Sequence, residues 1–296
     1  MSAAAPEMTT LAVSYGARPV KRRRRSKAEL DAVDDAIMTV LREENPATLR
    51  GTFYRVVSLG AVEKSELGYR LVGRQVLKLR RSGTLPMSWI TDGTRYIVKP
   101  TTWRDVNTML RDAASSYRRQ LWRDQHVSVQ LFTEKDAITG VVESVTAEWD
   151  IPLGILRGFA SESFCWEVAE SLSPDAPVFL YQLGDHDPSG VAAWADFEKK
   201  VCAFNPGAHV TFQRLAVVPE QIAELSLPTR PTKQSDSRAR QFEGESVEVD
   251  AIPPNKLRDI VREANEQHVD AHQLAVTRAA ENSERRLLTN IVGGAS

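Results

Sequence analysis

Residues 184–190 read Gly184-Asp185-His186-Asp187-Pro188-Ser189-Gly190, and they follow the apolar run Val178-Phe179-Leu180-Tyr181. The apolar run predicts a buried strand, and the proline and glycine predict a turn after it. If the strand continues, both aspartates project to the same side, because side chains alternate along a strand. Two carboxylates at a strand end provide the hard oxygen ligands that a divalent cation prefers.

A second apolar run ends in an acidic residue about fifty residues earlier. Residues 127–132 (Val-Ser-Val-Gln-Leu-Phe) are followed by Thr133-Glu134-Lys135-Asp136. Predicted strands and helices alternate from there on, which predicts a parallel sheet with helices on both faces. Ligands of such sheets bind at the carboxyl ends of the strands. We therefore expect Glu134, Asp185 and Asp187 to converge and to bind Mg²⁺, or Mn²⁺ in its place.

The predicted elements of this α/β region can be placed by periodicity and by turn residues. The strands are predicted at 127–133, 151–156, 177–183 and 209–216. The helices are predicted at 136–148, 161–172, 189–203, 255–268 and 270–291, with a long loop at 226–244.

The N-terminal part of the chain predicts three helices and a β-hairpin. The helices cover 27–44, then a segment capped by Thr48, then a segment from Ser65 to Ser82. Residues 89–98 contain an Asp-Gly turn between two short apolar segments. This order is the layout of a winged helix, whose third helix enters the major groove of DNA. The residues expected to contact DNA phosphates are Arg55, Arg70, Arg74, Lys78, Arg80 and Arg81.

Charge is distributed unevenly along the 296 residues. Residues 1–127 hold 23 Lys and Arg against 13 Asp and Glu, whereas residues 128–296 hold 15 against 26. A basic front half favours phosphate binding and an acidic back half favours cations, although a basic tail and solvated helix faces would give the same count. No apolar run is long enough to span a membrane, and two cysteines are too few for a disulfide framework. These features favour a cytoplasmic location.

A candidate nucleophile lies on the second predicted helix, in Arg50-Gly51-Thr52-Phe53-Tyr54-Arg55. Arg50 and Tyr54 are four residues apart and share a helix face. A tyrosine between two arginines can attack a phosphodiester while the cations stabilise the phosphoryl charge. The alternative is that Tyr54 is a core residue, as aromatic residues usually are.

Together these motifs resemble the A subunit of type IIB DNA topoisomerases (topoisomerase VI) and the related meiotic double-strand-break transesterase. Residues 50–54 resemble that family's Arg-x-x-Tyr-Tyr segment. Residues 134–138 and 185–190 are similar to the glutamate motif and the Asp-x-Asp-Pro-x-Gly motif of its Toprim domain, and residues 218–228 also resemble part of that domain. The resemblance covers roughly residues 28–255. It departs at residues 157–161, where the family has an acidic position and this chain reads Arg-Gly-Phe-Ala-Ser.

The resemblance implies a winged-helix domain followed by a Toprim domain with a Rossmann-like, mostly parallel sheet. The implied organisation is a disordered basic arm at 1–26, a winged helix at 27–100, a helical connector at 101–126, the Toprim domain at 127–255 and C-terminal helices at 256–296. The implied catalytic residues are Tyr54, Arg50 and Glu134, and the implied metal ligands are Glu134, Asp185 and Asp187.

The resemblance also implies partners and a setting. The partners are double-stranded DNA, a second copy of the chain whose Mg²⁺ site receives Tyr54, and a separate GHKL-type ATPase subunit. The chain is similar to stand-alone A-like proteins of bacteria, plasmids and phages, which implies a nucleoid-associated protein.

Two alternatives stay open. One is a Toprim nuclease in which a metal-activated water replaces the tyrosine, and the other is a DNA-binding module without catalysis. Glu245 and Glu248 follow the long loop, and we expect their side chains to be solvated.

Overall fold

The computed structural model describes residues 25–91, 99–174, 176–231, 242 and 244–294. The N-terminal helices are α1 (Lys27–Glu44), α2 (Leu49–Ser58), α3 (Glu66–Arg81) and α4 (Val106–Ser116). The following elements are β1 (Ser128–Thr133), α5 (Asp136–Glu148), β2 (Leu153–Ile155), α6 (Glu162–Ser171), β3 (Val178–Leu183), α7 (Pro188–Phe204), β4 (Val210–Ala216) and α8 (Pro219–Glu224). The described chain ends with α9 (Pro254–Glu266) and α10 (Ala271–Gly294).

The four strands form one parallel sheet in the order β2-β1-β3-β4, so the predicted α/β class is confirmed. The register of the central pair runs from Ser128 opposite Val178 to Thr133 opposite Leu183. Because β1 and β3 end at the same level, the residues that follow them are neighbours. The order of the strands thus decides which acidic segments meet.

Helices cover both faces of the sheet. On one face, alternate strand residues such as Leu131 and Leu183 pack against α5 and α9, in a core that continues into α1, α2 and α3. On the other face, Phe132 and Leu180 pack against α6 and α7, where Phe197 is fully buried. The alternation of strand side chains between the two cores is what a sheet covered on both faces requires.

The first three helices begin at capping residues, and the sequence predicts two of these, Thr48 and Ser65. Ser26 forms a capping box with Glu29 at the start of α1, and the hydroxyls of Thr48 and Ser65 accept from backbone amides of α2 and α3. These side chains satisfy amide groups that have no partner inside the helix. Helices α1, α2 and α3 pack on one another through a shared apolar core.

Two expectations change in this part of the molecule, and a third lies mostly outside the described residues. Met87–Trp89 form a 3₁₀ turn and Ile90 makes a single bridge to Ala47, in place of the first hairpin strand; residues 92–98 lie outside the described chain. The connector at 101–126 is helical only at Val106–Ser116. Of the arm at 1–26, only its last two residues are described. No helix in the described ranges has the length and apolar character needed to cross a membrane.

Candidate functional site

The acidic ends of β1 and β3 lie side by side at the carboxyl edge of the sheet. The Glu134 amide donates to the Leu183 carbonyl at 3.0 Å, which continues the strand pairing by one residue. The Asp185 amide then donates to Glu134 Oε2 at 2.9 Å. The parallel pairing therefore brings together two residues that are 51 positions apart in the sequence.

Asp187 approaches the same place from the start of α7. Its Oδ1 accepts from the Gly190 amide at 2.8 Å and caps the helix. A Cβ atom on Gly190 would lie 2.9 Å from Glu134 Oε2, 3.4 Å from Asp187 Oδ1 and 2.6 Å from the Asp185 carbonyl oxygen. Glycine is thus the only residue type that leaves room for the two carboxylates at position 190.

The third carboxylate is engaged differently. Asp185 Oδ1 lies 2.8 Å from Lys135 Nζ and accepts from the Val249 amide at 3.0 Å. Both contacts use the same oxygen of a side chain that is 8% exposed. Asp185 is therefore held by groups of its own chain, although its backbone contacts Glu134.

Burial shifts the pKa values of two of these carboxyl groups, Glu134 and Asp185. Burial raises the pKa of Glu134, and the neighbouring charges of Asp185 and Asp187 raise it further. Burial also raises the pKa of Asp185, against the opposing effect of Lys135. The repulsion that Asp185 and Asp187 exert on Glu134 would be relieved by a cation bound beside it.

The donor set fits a hard divalent cation in its chemistry. It consists of carboxylate oxygens from neighbouring strand ends, and Mg²⁺ takes one or two such groups together with water and substrate phosphate. Across the described residues, no three His, Cys, Asp or Glu side chains are grouped to enclose a metal ion. Glu134 and Asp187 face each other around Gly190, and Asp185 would join them by releasing Lys135.

Two further acidic residues, Glu248 and Asp250, belong to this edge of the sheet. Their relative exposures are only 5% and 4%, so the expectation that Glu248 is solvated was wrong. Asp250 Oδ1 accepts from the Thr48 hydroxyl at 2.7 Å, and its Oδ2 lies 3.1 Å from Lys135 Nζ. The sequence signal for these buried acids was the apolar run Val247-Glu248-Val249-Asp250-Ala251-Ile252. Acidic side chains in such a run can be buried only if basic side chains pair with them.

Glu248 joins three cations that come from distant parts of the chain. Arg50 Nη1 donates to both of its oxygens, at 2.9 and 2.7 Å. Arg230 Nη1 lies 3.1 Å from Glu248, while its Nη2 lies 3.3 Å from Asp187 Oδ2. Lys135 Nζ lies 3.4 Å from Glu248. A continuous ion-pair network therefore connects the N-terminal helix α2 with the acidic strand ends.

Tyr54 lies on α2 beside this network and is 7% exposed. Burial raises the pKa of its hydroxyl and so does Glu248, whereas Arg50 and Arg230 act in the opposite direction. Lys64 Nζ lies 5.7 Å from the centre of the Tyr54 ring. The ring borders a pocket of about 200 Å³, lined by Arg50, Phe53, Tyr54, Lys64, Ser65, Glu66 and Tyr69.

Most of the basic residues predicted to contact DNA have partners within the chain. Three of them make ion pairs: Arg55 with Glu44, Arg70 with Glu66, and Lys78 with Asp34. Arg80 donates to the Met87 carbonyl at 2.9 Å. The exposed basic side chains of α3 are those of Arg70, Arg74, Lys78 and Arg81.

Glu134, Asp185 and Asp187 lie at one edge of the sheet, and Arg50 links that edge to the helix of Tyr54. Sequence reasoning missed Lys135, Arg230, Glu248 and Asp250 as members of the site. Neither protein-family models nor curated proteins give a match to this chain.

Proposed function

We propose that this protein is a Mg²⁺-dependent DNA-cleaving transesterase that resembles the topoisomerase VI A subunit, with Tyr54 as its nucleophile. One observation carries the proposal: Glu134, Asp185 and Asp187 lie at the same carboxyl edge of a parallel sheet, and Arg50 ties the helix of Tyr54 to that edge. A carboxylate cluster and a tyrosine on one ion-pair network are the parts that metal-assisted transesterification of a phosphodiester needs.

The architecture supports the two domains of the proposal. The parallel sheet with its acidic strand ends would be the Toprim domain, and α1, α2 and α3 would be the helical part of the winged helix. Helix α3 presents basic side chains to solvent, which is suited to sequence-independent contact with phosphates. The cleaved duplex would lie between this helix and the acidic edge of the sheet.

Glu134 and Asp187, joined by Asp185, would hold the divalent cation. When bound, the cation supplies positive charge that stabilises the phosphoryl oxygens and orients the phosphodiester. Arg50 provides a second, fixed positive charge on the side of Tyr54. The arginine fork is suited to binding the phosphate oxygens in a defined orientation.

In the chemical step, Tyr54 Oη forms a bond to phosphorus, and the bond from phosphorus to the 3′ oxygen breaks. The phenolic proton passes to water. The departing 3′ oxygen takes a proton from solvent, because Glu134 is ionised when it holds the cation. The products are a 5′ phosphotyrosine link and a free 3′ hydroxyl. A homodimer would place the Tyr54 of each copy at the Mg²⁺ site of the other, so that each tyrosine cuts one strand of the duplex.

A second candidate function is hydrolysis by an activated water, as in a Toprim nuclease. The observation that favours it is the burial of Tyr54, which is 7% exposed and whose pKa is raised by that burial. A buried, protonated phenol is a poor nucleophile unless DNA binding uncovers it. In this alternative Tyr54 packs in the core of the helical domain and the acidic edge acts alone.

The experiment compares Tyr54→Phe with Tyr69→Phe and Asp185→Asn. Tyr69 lines the same pocket, so Tyr69→Phe is a matched control for loss of a phenolic hydroxyl. Each protein is incubated with supercoiled plasmid and Mg²⁺ or Mn²⁺ and then denatured, and linear DNA is assayed for covalently bound protein.

The transesterase predicts protein-linked ends for the parent and for Tyr69→Phe, and no cleavage for the other two variants. Free ends that persist in Tyr54→Phe but vanish in Asp185→Asn would identify the nuclease. Salt-dependent binding without cleavage by any of the proteins would leave only a DNA-binding module.

A further inference from the structure

Lys135 places its ammonium group among three buried carboxylates. Its Nζ lies 2.8 Å from Asp185 Oδ1, 3.1 Å from Asp250 Oδ2 and 3.4 Å from Glu248 Oε2. The three acidic side chains are 8%, 2% and 6% exposed, and that of Lys135 is 27% exposed. In this arrangement the ammonium group is the positive charge that the three carboxylates share.

The position of Lys135 makes it a competitor for the proposed metal ligands. It directly follows Glu134, and it engages the one carboxylate of the proposed set that does not face Gly190. A divalent cation bound by Asp185 would lie within a few ångströms of the ammonium group. Two positive charges at that distance repel each other, so the metal and Lys135 compete for the same oxygen.

Lys135 has two other carboxylate partners that it can keep when it leaves Asp185. Its contacts with Glu248 and Asp250 do not involve Asp185 and can persist when the Asp185 contact is lost. The ammonium group therefore stays paired during the exchange, which avoids leaving a buried charge without a partner. Only a short movement of a flexible side chain separates the two arrangements.

We propose that Lys135 is a positioning residue that holds Asp185 in the metal-free protein and yields this carboxylate to the divalent cation. The inference rests on the proposed function, because it concerns the same metal site. It assigns Lys135 a role in setting the affinity for the cation, and it predicts that removal of the lysine strengthens metal binding. A lysine that only supported the fold would have the opposite effect or none.

The test measures Mn²⁺ binding to the full chain by electron paramagnetic resonance, without DNA. The variants are Lys135→Met, the double variant Lys135→Met/Asp250→Asn, Glu134→Gln and Lys200→Met. Lys200 is the matched control, because its ammonium group pairs with Glu162 and Asp196 on helices α6 and α7. The double variant keeps the net charge of the site unchanged, so that it tests competition rather than charge alone. It also removes one of the carboxylates that Lys135→Met alone would leave unpaired, which protects the fold.

We expect Lys135→Met to bind Mn²⁺ about tenfold more tightly than the parent, because a competing unit charge beside the ion has been removed. The double variant should also bind more tightly, and Lys200→Met should match the parent. Equal or weaker binding by the double variant would overturn the role of Lys135. If the parent binds Mn²⁺ and Glu134→Gln does not, the metal site of the proposed function stands whatever Lys135→Met does. Absence of binding in the parent and both Lys135 variants would overturn the metal site as well.

Discussion

Glu248→Gln should destabilise the protein far more than a typical acidic-to-amide substitution. The side chain is 6% exposed and joins Arg50, Arg230 and Lys135. Glutamine keeps one acceptor oxygen but loses the negative charge, and its amide group directs donors at cations. The substitution therefore weakens the ion-pair network that connects α2 with the acidic strand ends.

The magnitude follows from the exposure of the partners. Removal of one member of a buried ion pair costs about 3–5 kcal/mol. Here the cations keep contact with solvent, since the side chains of Arg50, Arg230 and Lys135 are 46%, 38% and 27% exposed. We therefore expect a loss of about 2–3 kcal/mol in the free energy of unfolding, just below that range. The midpoint of thermal unfolding should fall by roughly 5–10 °C.

The assay is urea denaturation at neutral pH, with Glu66→Gln as the control. Glu66 pairs with Arg70 at 3.0 Å, both side chains are 69% exposed, and the expected effect is below about 0.5 kcal/mol. Although burial acts in the opposite direction, Lys135 and Arg50 hold the pKa of Glu248 below its ordinary value of 4.5. Its contribution is therefore present above pH 4.5 and is lost as the pH falls through the lower folded value. Equal stability of Glu248→Gln and Glu66→Gln at neutral pH would refute this reasoning.

Two more substitutions test the geometry and the charges of the acidic edge. Gly190→Ala should cost about 1–3 kcal/mol, because its Cβ would lie 2.6 Å from the Asp185 carbonyl oxygen, whereas Gly207→Ala meets open space and should be neutral in the same denaturation assay. Burial and the charges of Asp185 and Asp187 raise the pKa of Glu134, so ionisation of Glu134 destabilises the fold. The stabilisation from the protonated carboxyl group is complete below pH 4.5 and is lost as the pH rises through the pKa of the folded state. Without divalent cations, the stability of Glu134→Gln relative to the parent should therefore rise between pH 4 and pH 7. A difference in the free energy of unfolding that stays constant or narrows over this range would contradict the raised pKa of Glu134.

Much of the secondary structure was predictable because its signals are local. Thr48 and Ser65 cap α2 and α3 where expected, and the predicted helix at 136–148 has the same limits as α5. The acidic edge was predictable for a related reason. Alternating strands and helices imply parallel pairing, and parallel pairing places the residues after β1 and β3 together.

The segment predicted as the first hairpin strand shows where local signals were insufficient. Met87–Trp89 form a 3₁₀ turn, and the bridge of Ile90 to Ala47 is a contact with a distant segment that local propensity does not specify. Glu248 shows the same limit for the site. Its partner Arg50 is 198 residues away, and nothing in the sequence next to Glu248 indicates that a cation will form an ion pair with it.

The sequence by itself determined the helices, the parallel sheet and the acidic residues at its carboxyl edge, because caps, periodicity and the alternation of strands with helices are properties of short stretches of chain. Only the tertiary structure decided which charges are paired: Lys135 with Asp185, and Arg50 and Arg230 with Glu248. The physical reason is that a charge can be buried only where an opposite charge from another segment reaches it. Which segments meet depends on how the helices pack on the sheet, and that packing depends on the whole chain.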